Sequence, residues 1–135
     1  MEREAKVFRY EKPQFEGVKK STLVCSSDLM RVMVQEVREG GENNLHTHTG
    51  EDAFWYVIKG AVKFYGEGDE VIGEFHQSEG ILIPRGFKYW FESASDEPLE
   101  ILRVSARDQN IQNKRVDQAP LKQWQAAARG VESEA

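Results

Sequence analysis

The sequence contains one cysteine, Cys25, so no disulfide can close within the chain, and a reducing cytoplasm is the compartment this suits. No stretch approaches the ~18 consecutive apolar residues of a membrane-spanning helix. The charged opening Met1-Glu2-Arg3-Glu4-Ala5-Lys6 is followed by no apolar secretory core, and the C-terminus carries no lipidation cysteine. A cytoplasmic protein with no membrane partner is therefore expected. Basic charge is also short: 18 Lys and Arg stand against 23 Asp and Glu, a net charge of −5. Nucleic acid and anionic membranes are poor partners for such a balance, because phosphate contacts need clustered Lys and Arg. Internal repeats and low-complexity tracts are missing as well.

What is present is an ordinary globular composition, 39% hydrophobic and 30% charged, over 135 residues. At ~150 residues per domain that length corresponds to one domain, large enough to bury a core without disulfide or metal. Eleven glycines occur, and nine lie between residues 40 and 86, the segment that also holds all three histidines, His46, His48 and His76. Between these glycines run short β-branched and aromatic stretches: Leu29–Val37, Phe54–Ile58, Ala61–Tyr65, Val71-Ile72, Ile81–Ile83, Tyr89–Phe91 and Leu99–Val104. With a further strand or two before residue 29 the total is about eight, with turn signals every ~8–12 residues, which predicts an all-β sandwich or barrel. The only helix signal is Leu121–Arg129, with Pro120 before it and Gly130 after it. Residues 106–118 read as a polar connector.

His46-Thr47-His48 places two imidazoles on one face of a strand, since side chains alternate across a sheet. A metal ion can take one nitrogen from each, and the carboxylates of Glu51 and Asp52 follow within four positions. Two histidines at a loop-to-strand transition are equally compatible with a polar surface. His76 lies in a turn and is read as a surface residue.

The spacing goes further. Gly40, His46-Thr47-His48, position 53 and Gly60 are separated by five, four and six residues; Ser78, Pro84-Arg85-Gly86, Tyr89 and Ser93 are separated by five, two and three. This pair of gapped patterns resembles the two motifs of the cupin superfamily. The resemblance spans residues 20–105 and implies a jelly-roll β-barrel (a double-stranded β-helix) with a short C-terminal helix. Its expected organisation is an N-terminal arm at 1–20, the barrel at 21–105, and a connector with helix at 106–135, forming one domain. In typical members two histidines and a glutamate of the first motif and a histidine of the second hold a divalent metal ion. Fe, Zn, Mn and Ni are the candidates.

Here His46 and His48 are kept, but Ala53 stands for the glutamate and Tyr89 for the last histidine. If residue 53 faces inward, Glu51 shares its parity and is the better replacement ligand; Asp52 would need a backbone bulge near Gly50. Tyr89 then becomes a pocket residue, a hydrogen-bond donor or general acid, unless it is a core tyrosine. Trp55 and Phe91 are expected on the inward, substrate-facing wall. Arg103 joins them if it faces inward, where it would bind a substrate carboxylate; the opposite parity makes it an outer-face charge. Trp90 points outward by the same parity, towards a second sheet or subunit, and the family's arms commonly pack on a neighbour, so a homodimer is expected.

Three functions are consistent with this pattern. The first is a metal-dependent enzyme of oxygenase, isomerase or cyclase type acting on a small molecule through the ion held by His46 and His48. The second is a metal-independent, epimerase-like enzyme with a histidine as base and Tyr89 as acid. The third is a non-catalytic small-molecule-binding module.

Overall fold

The computed structural model describes residues 3–130. Ten strands are formed: β1 (Lys19–Ser26), β2 (Met30–Val37), β3 (His46–His48), β4 (Glu51–Lys59), β5 (Val62–Tyr65), β6 (Val71–Phe75), β7 (Gly80–Ile83), β8 (Trp90–Ser93), β9 (Leu99–Arg107) and β10 (Arg115–Asp117). One helix, α1 (Gln123–Ala128), follows. An antiparallel sheet of order β1-β2-β9-β4-β7 packs against a second one of order β6-β5-β8, to which the β3–β10 pair is joined by a bridge between His46 and Tyr89. This is the all-β jelly roll with a short C-terminal helix that the glycine spacing and motifs imply.

Alternation on the two long strands sets what faces inward. On β4 the buried positions are Glu51, Ala53, Trp55 and Val57; on β9 they are Leu99, Ile101, Arg103 and Ser105. The apolar members meet Val62, Phe64 and Phe91 from the second sheet in one core. Phe64 and Phe91 are fully enclosed, 5.3 Å between ring centroids, each contributing ~2–3 kcal/mol through burial. The core fills one end of the jelly roll; charged and polar inward residues fill the other.

Turn chemistry agrees with the motifs. Gly60 and Gly86 adopt φ of +86° and +79°, a region open to glycine and costly to other residues. Ser78, which occupies the leading glycine position of the second motif, keeps the left-handed conformation at φ +71°.

The ends of the chain differ from expectation. The connector contains β10, which pairs antiparallel with β3. First strand β1 starts at Lys19, inside the stretch read as an arm. Further along the described part of that arm, Lys12, Phe15 and Gly17 lie against their own chain. Lys12 bridges Glu36 (3.2 Å) and Glu100 (3.4 Å), two carboxylates directly opposite each other on β2 and β9, and so relieves a like-charge cross-strand pair. The Arg38 guanidinium lies 4.1 Å from the Phe15 ring centroid and donates to the Gly17 carbonyl.

The helix starts two residues later than predicted. Lys122 is extended, and its N–H is capped by the Gln125 side chain at 2.8 Å. Trp90 does face outward, but the chain covers it. Its ring stacks on Tyr65 at 4.3 Å, its Nε1 donates to Asp69 at 2.9 Å, and Lys122 lies over it. An exposed aromatic interface is thus not what Trp90 provides. No helix among the described residues is long and apolar enough to cross a membrane.

Candidate functional site

The polar end of the jelly roll opens into a cavity of about 820 Å³, within the size range of small-molecule sites. His46 and His48 of β3, Trp55 of β4, Tyr89 and Arg103 of β9 line it.

His46 is buried, and its Nδ1 lies 2.7 Å from the Asn44 carbonyl. A carbonyl only accepts, so Nδ1 carries the proton and Nε2 keeps its lone pair. Burial pushes this imidazole down to about 4, against the opposing effect of the Asn44 bond and with help from the charge of Arg115. The His48 ring stands edge-on to it at 5.0 Å. His48 Nδ1 is 3.2 Å from Glu51 Oε1, an ion-pair distance. Burial and then the positive charge of Arg103 push His48 down to about 4, although Glu51 pulls the other way. Both rings are neutral at pH 7.

Glu51 Oε1 also accepts from Arg103 Nη2 at 2.8 Å, in a pair whose two side chains are at most 10% exposed. Burial alone would raise this carboxyl; the Arg103 hydrogen bond and charge, then His48, outweigh it and hold Glu51 below the usual range. Arg103 lies 5.4 Å from the Trp55 ring centroid, a cation–π distance. Tyr89 is 1% exposed, with its ring 4.5 Å from that of His46. Burial raises its pKa, so the phenol stays protonated; Trp55 and Arg103 approach its hydroxyl, but neither contact has the geometry of a full hydrogen bond.

Of the residues proposed from sequence, His46, His48, Glu51, Trp55, Tyr89 and Arg103 come together here, Arg103 in its inward orientation. Two do not. Asp52 lies on the outer face of β4, where its carboxylate accepts from the backbone and guanidinium of Arg85 at 2.9 Å each. No bulge turns it inward. Phe91 points inward as parity requires but is sealed in the core against Trp55 (5.2 Å) and Phe64, so Tyr89 and not Phe91 forms the cavity wall.

The ligand set of a metal held by three or four side chains is not assembled. Position 53 offers a methyl group, Asp52 faces away, and the oxygen of Glu51 nearest the histidines is engaged by Arg103 and His48. Among the described residues no group of three or more His, Cys, Asp or Glu is placed to hold an ion. Glu51 instead takes the supporting position that carboxylates occupy behind a histidine.

Several cavity residues were not legible in the sequence. Lys19, Arg115 and Arg129 reach it from the two ends of the chain, and Gln35 from β2. For Gln35 a signal existed, a polar residue inside the apolar run Val32–Val37. Lys19 and Arg129 sit in charged terminal stretches where nothing marks them out.

Residues 33–105 match the family described as Cupin domain. The chain is a cupin. Solved structures agree on the fold. An uncharacterized protein with a double-stranded β-helix domain from Klebsiella pneumoniae aligns with a TM-score of 0.66 at 19% identity, covering 81% of this chain and 87% of the other. KdgF from a Halomonas species aligns at 0.59 and 18% identity, over 75% and 92%. A sugar phosphate isomerase of the cupin superfamily from Silicibacter pomeroyi aligns at 0.52 and 23%, over 60% and 52%. At these identities the likeness is one of fold. No curated protein matches this cupin.

Proposed function

We propose that this cupin transforms a small organic molecule by acid–base chemistry carried out by its own side chains, with His48 as proton acceptor and Tyr89 as proton donor. The contact between Glu51 and His48 carries this reading. The family's motif glutamate is Ala53, which on sequence leaves a catalytic histidine without the carboxylate that orients it. Glu51 supplies that carboxylate from two positions earlier.

The arrangement supports a proton transfer at a carbon next to a carbonyl or carboxylate. His48 Nε2 takes the proton, the electron pair of the broken C–H bond forms a C=C bond, the carbonyl π pair moves onto oxygen, and Tyr89 donates a proton to that oxygen. Returning the protons to the other face or the neighbouring carbon gives an isomer and restores both residues, so no co-reactant is consumed. Glu51 stabilises the imidazolium while it exists, and Arg103 keeps Glu51 ionised and fixed in place. Negative charge bound near Arg103 and Arg115 offsets two of the groups that depress His48, making it a stronger base when the site is filled.

Deuterium wash-in tests the proposal. Chelator-treated protein is incubated in D2O with a panel of hydroxy acids, keto acids and sugar phosphates, and exchange at carbon is followed by NMR. Exchange by wild type that falls ~10²–10⁴-fold in His48→Gln and Tyr89→Phe supports it. Exchange that appears only after Fe(II), Zn(II), Mn(II) or Ni(II) is added would move the assignment to a metal-dependent enzyme. Binding without any exchange would leave a small-molecule-binding module.

A further inference from the structure

The cavity carries more positive charge than its own carboxylates neutralise. Arg103 is paired with Glu51, and Arg115 with Asp117, each at 2.8 Å. Among the described residues Lys19 and Arg129 have no carboxylate partner. Arg129 donates only to main-chain carbonyls, those of Gly40 (2.8 Å) and Glu42. The nearby Glu42 carboxylate is spent on the N–H groups of Gly40 (2.7 Å) and Ser93 (3.2 Å). Two cations with no ion-pair partner among the described residues, and only the Glu42 charge nearby, thus share one cavity in a chain whose net charge is −5.

A second, independent feature lies in the same cavity. Three lining residues hold buried polar atoms with no hydrogen-bond partner: Gln35 Oε1, Trp55 Nε1 and the Tyr89 hydroxyl. Gln35 is 8% exposed, Trp55 2% and Tyr89 1%. A buried polar atom left unpaired is costly, so such a concentration in one cavity marks places where a ligand completes the bonding. The indole offers only a donor and the amide oxygen only an acceptor; the phenol offers either. A ligand satisfying all three must bring at least one acceptor and one donor, a pair that a hydroxylated molecule supplies.

We infer that the cavity binds a hydroxylated small-molecule acid, its carboxylate or phosphate held by Lys19 and Arg129 and its hydroxyl oxygens by Gln35, Trp55 and Tyr89. This rests on the cavity being the working site and names the substrate class for it. Arginine and lysine side by side suit an oxyanion, the guanidinium by its fork of donors and the ammonium as a point charge. The electrostatics of Lys19 point the same way. Burial, followed by the charges of Arg129, Arg115 and Arg103, pushes the Lys19 ammonium down to about 8, and a bound anion would relieve it. Neutral sugars would meet the three polar atoms but leave the two cations uncompensated.

Titration calorimetry with gluconate and glucose 6-phosphate as acids, and sorbitol and glucose as neutral counterparts, tests the inference. At least one acid should bind tenfold or more tightly than its neutral counterpart, and weaken as salt rises. Whether gluconate or glucose 6-phosphate binds better identifies the oxyanion. Lys19→Gln should lose tenfold or more of the acid affinity with sorbitol and glucose unaffected, and Lys19→Arg should restore it. Arg129→Gln provides the same comparison if Lys19→Gln does not fold. Equal binding of acids and neutral counterparts, binding of none of the four, or acid affinity unchanged in the folded variant would overturn the inference. His48→Gln separates it from the proton-transfer reading. Acids that bind wild type and His48→Gln alike, with no deuterium wash-in by wild type, remove only the acid–base reading. Wash-in on a neutral sugar such as glucose and not on acids removes only this one.

Discussion

Glu51 and Arg103 form an ion pair across β4 and β9, with Arg103 Nη2 donating to Glu51 Oε1 at 2.8 Å and both side chains almost fully enclosed. The pair runs diagonally past Ala53, where a cupin glutamate would point into the barrel: Glu51 is opposite Arg107, Ala53 opposite Ser105 and Trp55 opposite Arg103. Its carboxylate is therefore committed to an arginine and a histidine, and the local chemistry follows from that commitment.

A buried ion pair is costly to break and cheap to replace whole. Glu51→Met leaves the Arg103 guanidinium buried without a counter-charge and should cost ~3 kcal/mol in urea unfolding. Glu51→Met combined with Arg103→Met should cost less than the single change, because no charge is stranded. A double variant less stable than the single one would show that the two residues do not act as a pair.

Acid should destabilise the protein between pH 6.5 and 4. His46 and His48 both lie near 4 in the folded chain and near 6.5 when exposed. In that window the unfolded chain binds protons that the folded one refuses, so unfolding becomes easier as pH falls; above 6.5 the contribution is fully present. Each ring accounts for roughly 3 kcal/mol across the window. Urea midpoints measured from pH 7.5 to 4.5 should fall more steeply in wild type than in a His46→Gln, His48→Gln double variant. Parallel pH profiles for the two proteins would disprove the assignment.

Ser78 holds a backbone conformation that costs a non-glycine residue ~1–2 kcal/mol. Ser78→Gly removes that strain and gives back part of it as greater freedom of the unfolded chain. A net gain of about 0.5–1 kcal/mol is expected, visible as a Tm ~2–4 °C higher. The motif glycine would then be a better residue here than the one present, and a lower Tm would contradict the strain argument.

Metal ions should add little stability. Two histidines with no third donor among the described residues make a weak site. A ligand present at 100 times its Kd stabilises by ~2.7 kcal/mol. Fe(II), Zn(II), Mn(II) or Ni(II) at 100 µM should leave the Tm within about 1 °C of that in chelator. A rise of several degrees with one of them would show a ligand set that the side chains adopt only when metal is bound.

Period-two alternation, with position 53 taken as inward from the cupin motif, oriented the middle of the chain. It put Trp55 inside and Asp52 and Trp90 outside, while glycine spacing marked the turns at Gly60 and Gly86. It was silent on what covers an outward residue, so Trp90 read as facing a second sheet or a subunit, whereas Tyr65, Asp69 and Lys122 enclose it. β10 escaped because Arg115-Val116-Asp117 is short, exposed and polar at both ends, with no apolar face to generate a pattern. Alternation also could not distinguish a core wall from a cavity wall, which is why Phe91 and Tyr89, two residues apart on the same side, were grouped together. Glu51 was recognised as inward, but its role depended on Arg103, 52 residues further on, and no local pattern reports that distance.

The stretch shared with the family, residues 33–105, contains every group assigned to moving a proton: His48, Glu51, Tyr89 and Arg103. The cations assigned to the ligand's charge, Lys19 and Arg129, lie outside it, at the start of β1 and just after α1. On the proposed reading, the groups that move the proton and the cations that select for charge lie in separate segments of the chain. Exchanging the two flanks for those of another cupin would alter which molecule is admitted while leaving the barrel's reactive groups in place.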